Sequence, residues 1–374
     1  MKNIFRGFVA IIIILFMIFT PRFLLPALNA DVISDEMYAR REKFYYGVIN
    51  VWQVDCFDGG TGSRAIWLKN ICSGFERQYN GVYINVESIS LTMANQLISE
   101  GKKLPDIISF GSGIALSSEN FEPLSLNLTQ VRSEILDVCG ETAVPWCMGA
   151  YFMISCDGDK NHWGNDGRVV SNKKSSKTVY SVGIAERAGY LAPLALIQYC
   201  GEENLSAFHQ ELSVCSGTSQ EMFEAYNYSQ KINHMLGTQR DLYRLNAADS
   251  REMGRSSTLS LLSGYNDLFQ YIGILKTEDE KKVYTMNAFI QYLLEESQQS
   301  KLGEIGLFPV NSSATPEYNN QYMLEAWEQV KKSSFHCRSL VFEGEYAQQL
   351  NQKIFSWLKG SEEKPEEMLK NLIE

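Results

Sequence analysis

The sequence predicts an α/β protein of two lobes, the second inserted into the first, and three observations carry that prediction. Residues 49–75, INVWQVDCFDGGTGSRAIWLKNICSGF, run as apolar strand, glycine turn and amphipathic helix, and two more strands alternate with a helix behind them. The chain has 374 residues, more than one ordinary hydrophobic core accommodates. Two extended apolar segments, 144–154 and 263–274, bracket a middle region with its own loops and helices. If both segments cross between the same two lobes, a cleft lies between them at the glycine turns.

The first unit reads as a strand over 48–55, a turn at Gly59, Gly60 and Gly62, and a helix whose Leu68, Ile71, Cys72, Phe75 and Tyr79 recur at helical steps. Tyr83 to Ile89 alternates polar and apolar residues as a second strand. A short helix from about Thr92 stops at Gly101, and Pro105 introduces a third strand, Asp106 to Phe110, closed by Gly111-Ser112-Gly113. Strand, helix, strand, helix, strand is the order of a parallel sheet. After the first crossing, residues 156–177 form a polar, glycine-bearing loop. Helices are expected at 192–199 and 220–236, followed by a glycine turn into a polar-aromatic patch, 237–243. Thr277 with Glu280 marks a capping box for a helix carrying Val283, Met286, Phe289, Ile290 and Leu293. Ile305 to Val310 is a short apolar segment, and helices near 319–332, 345–359 and 365–373 complete the chain.

At 45% hydrophobic and 21% charged residues the composition is that of a folded globular protein. The net charge of -10 and the lack of any basic cluster longer than Lys173-Lys174 exclude nucleic acid as a partner and favour a neutral or cationic small molecule. Lys2 and Arg6 precede an unbroken apolar run from Phe8 to Phe19, the length of a signal-peptide core and short of the roughly 20 residues of a bilayer span. The protein is therefore expected to be exported, with residues 1–30 either a cleaved signal or an N-terminal membrane anchor and 31–46 a tether. The eight cysteines have irregular spacing and no C-x-x-C, so no zinc ribbon or thioredoxin-like motif is encoded.

These features together resemble the bacterial extracellular solute-binding proteins of family 1, the substrate-binding components of ABC importers related to maltose- and other sugar-binding proteins. The residues that carry the resemblance are the strand-GG-x-GSR-helix unit at 49–75, PDIISFG at 105–111, VPW at 144–146, and the return through GYNDLFQYIGI into IGLFPVN. It spans about residues 47–360. The resemblance implies a two-lobed type II periplasmic-binding-protein fold with an interlobe cleft and hinge crossings, closing on its ligand. The lobes would be 47–143 with 275–318, and 144–274, followed by C-terminal helices in 319–374. It implies a cell-surface or periplasmic monomer that passes a small solute, a carbohydrate above all, to an ABC permease and its ATPase, with no cofactor and no chemistry on the solute.

Carried over position by position, the family's cleft residues fall on Trp52, Asp55, Gly60 and Arg64 around the first turn, Phe110 and Gly111 at the third strand end, and Trp146 on the first crossing. In the second lobe they fall on Arg240, Tyr243 and Tyr265. Trp52 and Trp146 could stack on a sugar face or simply fill the core; Asp55 could accept hydrogen bonds from a ligand, and Arg64 could hold a specific partner or be a solvated or lobe-bridging arginine. The chain departs from sugar-binding relatives at Thr238-Gln239-Arg240-Asp241, where a tryptophan is common, and it has no lipid-attachment cysteine behind the apolar run. Two other functions fit less of the sequence. A ligand-sensing module would share the cleft and differ in its gene neighbourhood. A cleft hydrolase finds no G-x-S-x-G or H-E-x-x-H, the four histidines are scattered, no metal set is evident, and Cys147 lies in an apolar strand where a thiol is inert.

Overall fold

The computed structural model describes residues 43–57, 59–156, 180–185, 189–200 and 212–359. The export segment, most of the tether, Asp58, nearly all of the polar loop at 156–177 and the helix expected at 365–373 lie outside them. Among the described residues no helix is long and apolar enough to cross a membrane.

Two five-stranded sheets organise the chain. In the first, β1 (Gly47–Val54) pairs in parallel with β2 (Val82–Ile89) and β3 (Ile107–Phe110). Beside β3 runs β11 (Phe269–Ile274), antiparallel to both β3 and β4 (Val144–Met148), giving the order β2-β1-β3-β11-β4. The second sheet repeats the plan. Its β6 (Tyr180–Ala185) is parallel to β7 (Leu212–Gly217) and β8 (His234–Gly237), and β5 (Phe152–Cys156) is antiparallel to β8 and β9 (Ser257–Leu261). The order is β7-β6-β8-β5-β9. A two-residue strand, β10 (Tyr265–Asn266), pairs with β12 (His336–Cys337).

The helices follow the same division. In the first lobe, α1 (Arg64–Gln78) and α2 (Leu91–Ser99) alternate with the strands, α3 (Ser133–Leu136) is a single turn, and α7 (Glu280–Leu293) and α8 (Glu296–Gln299) follow β11. In the second, α4 (Ala192–Cys200), α5 (Ser219–Asn227) and α6 (Gln239–Asp249) serve the same purpose. The last two helices among the described residues pack on the second lobe: α9 (Gln321–Lys332) lies against α6 and β9, and α10 (Gly344–Leu358) against α4.

Two expectations are corrected, and the segment 144–154 gains a break. The segment 144–154 is two strands in different sheets, broken at Gly149–Tyr151, where Gly149 N donates to Leu268 O (2.6 Å) and Ala150 N to the Gln239 side chain (3.2 Å) instead of to a neighbouring strand. Burial on both sides of the break makes it invisible to hydrophobic periodicity. The helix expected over 220–236 ends at Asn227, whose amide accepts from Arg255 N and donates to Met253 O; residues 234–237 are the central strand β8. The polar patch at 237–243 is then the start of α6, where the Asp241 carboxylate accepts from Thr238 N at 3.0 Å. Finally, α7 is capped by Asp279, which accepts from Lys282 N at 3.0 Å, and not by a Thr277–Glu280 box.

Candidate functional site

A parallel sheet places the carboxyl ends of its strands, and the turns behind them, at one edge. Here the residues after β1, β2 and β3 open onto a cavity of about 1030 Å³: Asp55 to Phe57, Ser90 to Thr92, and Ser112. Its floor is the returning crossing, Asp267 to Phe269. The facing wall comes from the second lobe, from Gly189 and Tyr190 behind β6 and from one side of α10.

The β1–α1 turn is held by Arg64. A cation in the first turn of a helix opposes the macrodipole, so a buried arginine there requires acceptors. Its guanidinium donates to Asp55 Oδ1 (3.3 Å), Phe57 O (3.1 Å) and Gly59 O (3.3 Å), and lies 4.4 Å from the centre of the Phe57 ring. The Asp55 side chain stays 60% exposed on the cavity side of that pair. Gly60 has φ +75°, and a Cβ there would sit 2.4 Å from Ile305 O, so only glycine fits. Gly111 is required for close approach: a Cβ would lie 2.1 Å from Cβ of Cys56.

Asp267 ties the floor to the second lobe. Its Oδ1 accepts from the Tyr151 hydroxyl (2.6 Å) on the other crossing and its Oδ2 from Tyr190 N (3.0 Å). Burial pushes the carboxyl above the ordinary aspartate value of 3.8, and the bonds from Tyr151, Leu191 and Tyr190 oppose this without cancelling it. With the folded-state value raised, the group's stabilising contribution is complete below the unfolded-state value and is lost as pH rises through the folded-state value. Asp267→Asn is therefore expected to flatten the fall in stability on the alkaline side of the ordinary aspartate value. The check is the difference in Tm between wild type and variant from about pH 4 to pH 7; a difference constant across that range would mean that the carboxyl titrates alike in both states.

Cys56 also lines the cavity, but its thiol donates to Phe269 O (3.3 Å) and Gln270 Oε1 (3.1 Å), and burial pushes it up to about 12. Burial raises the Cys147 thiol further. Neither is a thiolate nucleophile near neutral pH. Among the described residues no cluster of His, Cys, Asp and Glu could hold a metal ion.

The sequence-derived site residues separate by location. Asp55 lines the cavity. Trp52, Phe110 and Trp146 lie in the core at 7%, 0% and 0% exposure; Phe110 stacks on Phe121, and Trp146 stacks on Trp67 while its Nε1 donates to Ser109 Oγ (2.9 Å). Gly60, Arg64 and Gly111 shape the turn and strand end. In the second lobe, half-buried Tyr243 bonds the Thr61 side chain and covers Gly306, joining α6 to the first lobe. Arg240 is exposed on α6, Tyr265 is half-buried in β10, and neither lines the cavity. Sequence reasoning missed Phe57, Ser90, Ser112, Tyr190, Asp267 and the α10 side chains. Ser90 and Ser112 had a signal, since they lie one and two residues beyond the ends of β2 and β3. The polar stripe of α10 had none, because it is indistinguishable from a solvated helix face.

The sequence matches no family model and no curated protein. Solved structures do match in fold. FutA2 from Synechocystis, in its apo form, aligns with a TM-score of 0.57 at 12% identity, over 85% of this chain and 100% of that one. The spermidine/putrescine ABC transporter substrate-binding protein PotD from Streptococcus pneumoniae aligns with a TM-score of 0.55 at 13% identity, over 83% and 98%. The GacH receptor of Streptomyces glaucescens, solved unliganded and with acarbose, aligns with a TM-score of 0.52 at 12% identity, over 84% and 94%. At such identities the likeness is one of fold: the chain has the two-lobed α/β fold of the type II periplasmic solute-binding proteins.

Proposed function

We propose that the protein is an extracytoplasmic solute-binding protein that captures a small solute, a carbohydrate, in the interlobe cavity and delivers it to an ABC permease driven by its ATPase. The observation that carries this reading is the cavity itself, with strand-end turns of one lobe on one wall, the other lobe opposite, and two chain crossings beneath. A solute touching both walls gains the second lobe's contacts only when the lobes are closed, so binding favours closure by that difference. The lobes in this reading are 47–143 with 275–318, and 144–274, and the C-terminal helices join the second. Asp55, Phe57 and Tyr190 contact the solute, while Gly60 and Arg64 hold the turn that presents them. No chemistry is done on the solute, in keeping with thiols that stay protonated. Residues 1–30 direct export or anchor a monomer at the membrane surface through the 31–46 tether.

A carbohydrate fits the lining better than an ion does. Hydroxyls and amides recur among the described lining residues, the charged groups there are Asp55, Asp267 and Lys359, and the half-buried Phe57 and Tyr190 rings offer faces to a sugar. Differential scanning fluorimetry against mono- and oligosaccharides, polyamines and organic anions tests the proposal. At a concentration 100 times its Kd the true solute adds about 2.7 kcal/mol of stability. A flat response across the whole panel would contradict solute capture.

A further inference from the structure

Helix α10 has two faces with different tasks. Ala347, Leu350, Ile354, Trp357 and Leu358 are at most 5% exposed and belong to the second core. Gln348, Gln352, Ser356 and Lys359 are exposed, and all four line the cavity. Their steps of four, four and three residues place them in one stripe, about 16 Å long at 1.5 Å per residue. The stripe is fixed in place. Asn351, at its edge, donates to Tyr190 O (2.8 Å) and Gly189 O (3.4 Å), tying the helix to the loop behind β6.

The chemistry of the stripe selects a ligand. A glutamine amide and a serine hydroxyl each donate and accept, which matches hydroxyl groups that do the same. A polyvalent cation would need carboxylates on both walls, yet among the described residues the second-lobe wall lines the cavity with none, and both Asp267 oxygens are engaged. An anion would meet the stripe's Ser356–Lys359 end, where the helix macrodipole is negative and, among the described lining residues, one lysine is the only cation. Length decides the rest. One sugar ring would engage only part of a stripe about 16 Å long.

We infer that α10 is the recognition wall of the second lobe and that the solute is a neutral oligosaccharide of two or more rings laid along Gln348, Gln352 and Ser356. This rests on the solute-binding reading above and specifies its ligand. The test is isothermal titration of the full-length protein with glucose, galactose and xylose, their di- and trisaccharides, spermidine and citrate. Gln348→Ala and Gln352→Ala serve as variants, and because both side chains are exposed the unliganded Tm should hold. Wild type is expected to bind an oligosaccharide at least tenfold more tightly than its monosaccharide. Each variant is expected to weaken the oligosaccharide by about fivefold and to leave the monosaccharide within about twofold, the scale of one neutral hydrogen bond. Equal affinity for mono- and oligosaccharide, spermidine or citrate as the ligand, or full oligosaccharide affinity in both variants would overturn the inference and leave solute binding standing. Silence from every compound would overturn both.

Discussion

Trp146→Ala is expected to destabilise the protein by about 3–5 kcal/mol, the cost of removing a buried tryptophan and leaving a cavity. The indole is 0% exposed, stacks 5.1 Å from Trp67 at 11° and donates to Ser109 Oγ, which also accepts from Gln270 Nε2 (3.0 Å). Gln270 in turn donates to Val54 O at 2.8 Å, so the loss reaches the end of β1 beside the cavity. Urea denaturation followed by far-ultraviolet circular dichroism measures it. A folded variant of near wild-type stability that had lost its solute would return Trp146 to the binding surface, where the sequence alone placed it.

The second large effect is expected at Arg64. Arg64→Ala removes a buried guanidinium and its bonds to Phe57 O, which keeps Gly59 N as a donor, and to Gly59 O, at a cost of about 2–3 kcal/mol. The Asp55 pair adds little to this, because its carboxylate is 60% exposed and water replaces the lost partner. Solute affinity should fall by at least tenfold as well, since Asp55 and Phe57 lose the group that orients them. Arg64→Lys keeps the charge without the planar fork and should recover only part of either quantity. Titration and urea midpoints on both variants separate the roles: affinity lost with stability intact would mean that Arg64 touches the solute itself.

Much of the first lobe was legible because its cues are local. The β1–α1 unit, the second and third strands and the stripe of α7 each have a repeat or a turn that a short window contains. The middle region was less legible. Its β8 is four residues with only Met235 and Leu236 apolar, too short to show a strand period, and α6 carries an Asp at the position where glutamate or glutamine usually marks a capping box. Aromatic residues misled for a related reason. Trp52, Phe110 and Trp146 have the flat side chains that bind sugars, but the same property makes them efficient core fillers, and only their neighbours distinguish the two.

The sequence by itself determined the α/β class, the two-lobed plan with its crossings, and the turn at Gly59–Arg64, since these depend on residue periodicity and on backbone angles that glycine permits. The tertiary structure alone decided which side chains face the cavity. It turned Arg64 inward onto Asp55 and two carbonyls, brought Asp267 and Tyr190 together from 77 residues apart, and swung α10 from the far end of the chain onto the second lobe. Those placements depend on contacts between residues distant in sequence, whose energies no local pattern records.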